Sequence, residues 1–596
     1  MKRWICFFSA ALVLSVSAGA RQSSDPAAPP AQPAAATRSS TPPDTSTQGV
    51  STTTPNPAIE QPAIRTPASL DQVVDRIIER EHALINFLQG RTPAVETYLQ
   101  NLKGDAKYGT VPAQDHYFLG RLDMSAKVER RDYLQMQEFL WGDLSRPFRF
   151  RYEPLGFSWM IFADRTHFDR SHYDFQYLRR EFLGDVRCLV FQVTPKAHAG
   201  MGSFEGRFWV EDENYNIVRL NGTYVPNPRA AFYFHMDSWR LNVVPGYWLP
   251  AYIFSEEGDL GPGLKKGRLA FRAQTRLWGY DLVKNRREEE FTEVKVDAAK
   301  DESALAQDAS PLEAERQWEK LAEDNVLDRL QAAGLLAPPG DVDKVLQTVV
   351  NNILITNNIE FPWTVRARVM LTAPLETFCV YNTIVISRGL IDTLPDEASL
   401  AAILAHELAH IVLGQNMGEK FAFSDRMLFS DESVYRNFGF RHSQEEEAAA
   451  DAKAVELLNK SPYAQKLASA GLYLKQLQVR APMLPALLTA HIGNSFSNEK
   501  GQIIRLNALL NSSPQIDDNK LDQITALPLG GRIRLDPWTD RVQMLNTAPV
   551  AIVYLHDKMP FGLAPFFPRL TRHEPTTAPA SSGASAQNSG AGQPQK

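Results

Sequence analysis

Three cysteines in 596 residues are too few for a disulfide framework. Cys6 lies in the apolar stretch at the start of the chain, which leaves Cys188 and Cys379. These two sit in different predicted domains and are expected as buried thiols, with a bridge still open in an oxidising compartment. Beyond Ala20 no run is apolar for long enough to cross a bilayer. The net charge of -6 is small for this length, so no nucleic-acid partner is expected. Tandem repeats are absent as well. With 44% hydrophobic residues, the chain has material for several cores.

What is present begins with a basic Met1-Lys2-Arg3, a short apolar core and Ala18-Gly19-Ala20. That is the pattern of a secretory signal peptide over 1–20; the apolar core is short for the alternative, an uncleaved anchor. The protein is therefore expected to be exported, in the periplasm or associated with the envelope of a bacterium, and soluble after cleavage. Residues 21–67 are Pro, Ala, Ser and Thr with few aromatics, a composition that cannot bury enough surface to order itself. The tail at 574–596 reads the same way.

Between these ends the expected fold class is multidomain α+β. A large antiparallel sheet domain, half-barrel-like, precedes a mainly helical domain. Ser69 caps an amphipathic helix with the stripe Leu70, Val73, Val74, Ile77 and Ile78. The helical segment is placed at 68–113, with the helix running to about Leu102. From 114 to 285 the apolar period becomes two, as in Phe148–Tyr152, Cys188–Val193 and Arg268–Ala273. Gly206–Glu211 and Asn216–Tyr224 flank a turn and read as a hairpin. Residues 286–340 are expected as a charged, solvated helical connector that Pro338-Pro339-Gly340 ends. The helical domain then occupies 341–515. Gly530–Leu535 and Val550–Leu555 are expected to pair as strands in a small region at 516–573.

The chemistry concentrates in His406-Glu407-Leu408-Ala409-His410, inside a helical run that Asp396 and Glu397 open after Pro395. Histidines four apart on a helix project from one face and reach a single tetrahedral Zn²⁺. The glutamate between them is placed to take a proton from water activated by that ion. The flanks are almost wholly apolar, and ionisable groups buried in such a helix need a partner or a metal. Downstream, Glu447 and Asp451 share a face of a second helix. Glu447 supplies a third ligand, and Asp451 an acceptor for the free ring nitrogen of a ligating histidine. Glu445 and Glu446 read as an exposed acidic face.

H-E-L-A-H followed by E-A-A-A-D resembles the zinc endopeptidases of the CAAX prenyl protease, HtpX and BepA type, with Glu376–Leu390 similar to their edge strand before the active helix. The likeness covers roughly 340–510. It implies one Zn²⁺ per chain on His406, His410 and Glu447, Glu407 as general base, and Asp451 orienting a ligand. It also implies an extended substrate on the strand around Val380–Ser387, which carries the cleft candidate Asn382. His491 and Arg505 resemble a family histidine and arginine near the cleft, with stretched spacing and without the usual proline. His491 would plug the zinc or donate to an oxyanion, and Arg505 would steady an acidic neighbour; a surface histidine and a helix-surface arginine are the alternatives. The prenyl protease and HtpX span membranes, and here no suitable segment follows the start. An aromatic-rich loop, Lys420–His442, is read as a lid or a membrane-facing flap. The implied activity is hydrolysis of peptide bonds in unfolded or membrane-associated envelope proteins, in quality control.

Phe182–Lys196 and the Phe208 hairpin resemble the LolA-like lipoprotein-carrier fold. Phe157, Trp159, Phe162, Phe232, Tyr233 and Phe234 then line an acyl-chain groove, or are simply core. The alternative function is a lipid- or lipoprotein-binding carrier or chaperone on a low-turnover protease-like scaffold.

Overall fold

The computed structural model describes residues 67, 69–125, 127–134, 152–226, 234–257, 270–281, 311–415, 431–498, 500–545 and 552–573. The signal-peptide stretch, the linker up to 66, residues 286–310 of the connector, most of Phe148–Tyr152, Phe232, Tyr233, residues 420–430 of the Lys420–His442 loop and the 574–596 tail lie outside these residues. From Ser69 on, the described residues belong to one compact unit. None of their helices is long and apolar enough to cross a membrane.

Helix α1 spans Leu70–Leu88, and the Ser69 hydroxyl accepts the Gln72 N–H at 3.3 Å, as a capping residue does. Its buried stripe continues through Leu84, Ile85 and Leu88, while Leu70 is exposed. The helix does not reach Leu102. Gly90 turns the chain at φ +77°, and strand β1 occupies Ala94–Asp105. Val95, Leu99 and Leu102 recur at helical spacing, yet the strand is buried on both faces, so its polar Glu96, Thr97 and Gln100 are inside as well. Alternation, the usual mark of a strand, is thereby erased.

Strands β2 (Gly109–Asp123) and β3 (Glu129–Asp132) follow, then the short helix α2 (Pro154–Trp159). Next come β4 (Tyr173–Leu183), β5 (Val186–Pro195), β6 (Ser203–Glu211), β7 (Ile217–Val225), β8 (His235–Val244), β9 (Tyr247–Glu257) and β10 (Phe271–Trp278). They form one ten-stranded sheet in the order β3-β2-β1-β10-β9-β8-β7-β6-β5-β4. Every neighbouring pair is antiparallel, the β6–β7 hairpin among them, and β3 and β4 leave the sheet open. One face packs Val95, Phe208, Leu220 and Ile253 against α1 and α2. Phe157 and Phe162 are buried there, and Phe157 stacks on Phe234 at 5.9 Å, so these aromatics fill the core. A buried ion pair, Arg240 with Glu81 at 2.6 and 2.8 Å, ties β8 to α1.

The opposite face, with Tyr98, Trp209, Trp239 and Trp278, packs on the mainly helical part. Helix α3 (Pro311–Ala332) is not a solvated connector: Ala322, Val326, Leu327 and Leu330 are buried in this second core. Its charges hid an apolar stripe that only the partner surface selects. Helix α4 (Asp341–Thr356) starts after Gly340, whose N–H the Asp343 carboxylate accepts at 2.7 Å. Strands β11 (Arg366–Met370), β12 (Thr377–Val380) and β13 (Thr383–Ser387) form a small sheet in the order β11-β13-β12. The stretch Val380–Ser387 is therefore the end of β12, a hairpin turn and the central strand β13, and the edges of the sheet are β11 and β12. Helix α5 (Arg388–Thr393) leads into α6 (Glu397–Val412), then α7 (Asp431–Asn437), α8 (Gln444–Asn459), α9 (Leu467–Arg480), α10 (Pro485–Leu488) and α11 (Asn507–Ser512).

Buried polar contacts join the two parts. Glu96 of β1 accepts the Ala373 N–H at 2.6 Å and pairs with Arg388 of α5. Asp115 of β2 accepts the N–H groups of Ala486 and Leu487 at 2.9 and 2.8 Å. Near the end, β14 (Ile533–Leu535) pairs with β15 (Val542–Met544), not with the Val550 stretch. Leu555–Lys558 forms a 3₁₀ turn; Val550 and Ala551 lie outside the described residues. Cys188 and Cys379 are both free and buried.

Candidate active site

Helix α6 begins at Asp396, whose carboxylate accepts the Ser399 N–H at 2.8 Å. Every residue from Ala398 to Ile411 is buried. The helix runs through the core, and its two histidines therefore meet protein on all sides. Helix α8 is capped by Ser443 and Glu446, each accepting the other's N–H, at 3.3 and 2.8 Å. That cap, which uses one of the two glutamates read as mere surface, places Glu447 in the first turn beside α6.

His406, His410 and Glu447 converge, each offering an atom within 4.8 Å of the others. The two Nε2 atoms are 3.3 Å apart, His406 Nε2 is 3.2 Å from Glu447 Oε2, and His410 Nε2 is 3.6 Å from Oε1. Donors bound to one tetrahedral zinc at about 2.0–2.1 Å stand about 3.3 Å apart, so these separations fit a shared ion. The ring tautomers fit too. His406 Nδ1 is 2.9 Å from Asp451 Oδ1, and His410 Nδ1 is 2.7 Å from Gln415 Oε1. With His410 Nδ1–H donating to Gln415, the His410 Nε2 lone pair faces inward; His406 Nδ1 lies at ion-pair distance from Asp451 without a hydrogen bond in this geometry. Asp451 also accepts the Leu506 N–H at 2.7 Å.

Arg505 is buried at the centre, not on a helix surface. It donates to Glu447 at 3.0 and 3.2 Å and to Glu407 Oε1 at 3.1 Å. Burial would raise the Glu447 carboxyl, but Arg505 and the two histidines hold it well below the usual carboxylate range. Burial would lower His406, but Asp451 and Glu447 raise it to about 8. Glu407 is fully buried, and its Oε2 has no hydrogen-bond partner among the described residues.

Two other candidates do not join the cluster. His491 lies between Tyr117 and Tyr435, at 5.9 and 4.9 Å between ring centres, and burial lowers its pKa to about 4. The Asn382 carbonyl accepts the Arg366 N–H at 2.9 Å in the turn before β13, and no hydrogen bond joins Asn382 to the histidine pair. Three residues escaped the sequence reading. His442 stacks on His410 at 3.8 Å, with its Nε2 3.7 Å from the Cys379 sulfur. Its place just before the cap of α8 was a usable signal. Gln415, five residues past His410, was another. Asn494, which donates to Glu447, carries no sequence signal at all.

The helix-borne histidine pair and the carboxylate from a second helix form a group that could hold a metal ion. Residues 341–427 match the model of peptidase family M48, so the likeness covers this part of the chain. No curated protein matches the chain. Among solved structures, a LolA superfamily protein from Nitrosomonas europaea is 11% identical, with 36% of this chain and 93% of that one covered and a TM-score of 0.19. A lipoprotein-sorting domain from Vibrio parahaemolyticus is 11% identical, covering 34% and 91%, with a TM-score of 0.17. A DUF1329 family protein from Desulfovibrio piger is 11% identical, covering 35% and 90%, with a TM-score of 0.17.

Proposed function

We propose that this chain is an exported zinc-dependent endopeptidase acting on unfolded or membrane-associated envelope proteins. The convergence of His406, His410 and Glu447, with His410 held through Nδ1 by Gln415 and His406 Nδ1 beside Asp451, carries the reading. Zinc held there supplies a Lewis acid that brings the pKa of water toward about 7 and polarises a carbonyl. Glu407 does the proton work. Its Oε1 is held by Arg505, so Oε2 is the atom that takes the proton from the attacking water and returns it to the leaving amine. Asp451 and Gln415 keep the imidazoles in register, and an extended peptide joins the edge of β12. The basic, then apolar, start of the chain supports export. Of the aromatics proposed for a lipid groove, Phe157 and Phe162 are buried in the core, which favours the peptidase over the carrier.

The test is cleavage of casein and of an unfolded outer-membrane protein, with and without chelator, by wild type and Glu407→Gln. Wild type should cleave only with metal, and the variant should bind zinc equally yet cleave nothing. Full activity in the variant removes the mechanism.

A further inference from the structure

Between α10 and α11 the segment Ala490–Asn494 has no regular structure, yet it lies inside the protein, where backbone polar groups need partners. Two side chains, one acidic and one basic, provide them. Glu376, just before β12, accepts the N–H groups of His491, Ile492 and Gly493 on one carboxylate oxygen, at 2.9, 3.0 and 3.4 Å. Arg441, just before α8, donates to the carbonyls of Ala490, His491 and Gly493, at 3.4, 3.3 and 3.3 Å. The Phe440 N–H donates to the Ile492 carbonyl at 2.8 Å. Gly493 closes against the Thr377 carbonyl, where a Cβ would meet it at 2.6 Å. Upstream, Asp115 of the large sheet holds the start of α10.

This clamp presents Asn494. Its amide donates to Glu447 Oε1 and, at 3.2 Å, to the His442 carbonyl. A carboxylate has about four lone-pair sites, two on each oxygen. Oε1 receives both Arg505 and Asn494, so its two are filled. Among the described residues Oε2 receives only the Arg505 Nε–H, which leaves one lone pair, and His406 Nε2 lies 3.2 Å away.

We propose that Asn494 is a positioning residue for the metal: by filling Oε1 it commits Glu447 to ligation through Oε2 alone, and Glu376 and Arg441 hold it in place. The inference rests on the ligand set of the peptidase reading. Outer hydrogen bonds of this kind set metal affinity by about tenfold to a hundredfold.

The test uses the full chain, with zinc affinity from chelator competition, visible spectra of the Co²⁺-substituted protein and X-ray absorption of the zinc form. Asn494→Ala should bind zinc about ten to a hundred times more weakly, with a Co²⁺ spectrum shifted toward higher coordination number and an apo-protein Tm close to wild type. Glu376→Gln should weaken zinc in the same direction. Equal zinc affinity and an unchanged Co²⁺ spectrum in Asn494→Ala overturn the inference. So does bidentate Glu447 in the wild-type zinc form, a readout that needs no variant to fold. Failure of the peptidase reading looks different: wild type would then bind zinc no better than Glu447→Ala, or bind it and cleave nothing.

Discussion

Replacing Arg505 by methionine is the sharpest perturbation of the site's own electrostatics. The guanidinium is 2% exposed and donates three hydrogen bonds to two buried carboxylates, Glu407 and Glu447. Methionine keeps an apolar stem of similar length, so the cavity contribution is small. The loss is electrostatic: two buried carboxylates are left without their shared cation. Removing one partner of a buried ion pair costs about 3–5 kcal/mol. Against whole-protein stabilities of about 5–15 kcal/mol, that is a large fraction. Arg505→Lys keeps the charge but loses the planar fork that reaches both carboxylates, and each lost charged hydrogen bond is worth about 1.5–3 kcal/mol. The assay is urea unfolding in chelator, so that no added cation replaces the lost one. The expected order is wild type, then the lysine variant, then the methionine variant. A methionine variant within about 0.5 kcal/mol of wild type would refute the claim that Arg505 neutralises the cluster.

Two further outcomes follow from burial. Asp540 accepts the Gly279 N–H at 2.6 Å, and burial pushes its carboxyl up to about 8; Asp536 and Asp281 add to the rise, and Gly279 and Arg121 oppose it. The unfolded group titrates near about 3.9, so between about pH 4 and 8 the native state holds the extra proton and stability falls as pH rises, at up to about 1.4 kcal/mol per pH unit. Asp540→Asn keeps the acceptor and should gain on wild type across that window; a difference independent of pH would count against it. In α5, Gly389 lies against the Ala373 carbonyl, where a Cβ would overlap it. Gly389→Ala should cost at least the 1–3 kcal/mol typical of overpacking, about, and lower the Tm; an unchanged Tm would show that the neighbours yield.

The active helix was legible in the sequence because everything its reading needs is local. Histidines at i and i+4 share a face, Asp396 caps the start, and an apolar surround rules out a solvated role. Glu447 and Asp451 were legible for the same reason, as a pair one turn apart, and the β6–β7 hairpin because a turn separates two alternating runs. Strand β1 was not. Its stop signals, Gly90 and Pro93, were present, but the interior placement of Glu96 and Gln100 depends on Arg388, the Ala373 N–H and the Phe561 carbonyl, all hundreds of residues away.

The chain by itself set the chemistry, since ligand type and helical spacing are properties of a few consecutive residues. Tertiary structure decided which groups tune it. Arg505, open in the sequence between steadying an acidic neighbour and lying on a helix surface, sits at the centre of the cluster on two carboxylates, and His491 went to a pair of tyrosines instead of the histidine pair. Asn494 reached Glu447 because a glutamate and an arginine from two other segments hold its loop. Hydrogen bonds between distant segments form only where packing has already fixed both partners, and no local pattern encodes that.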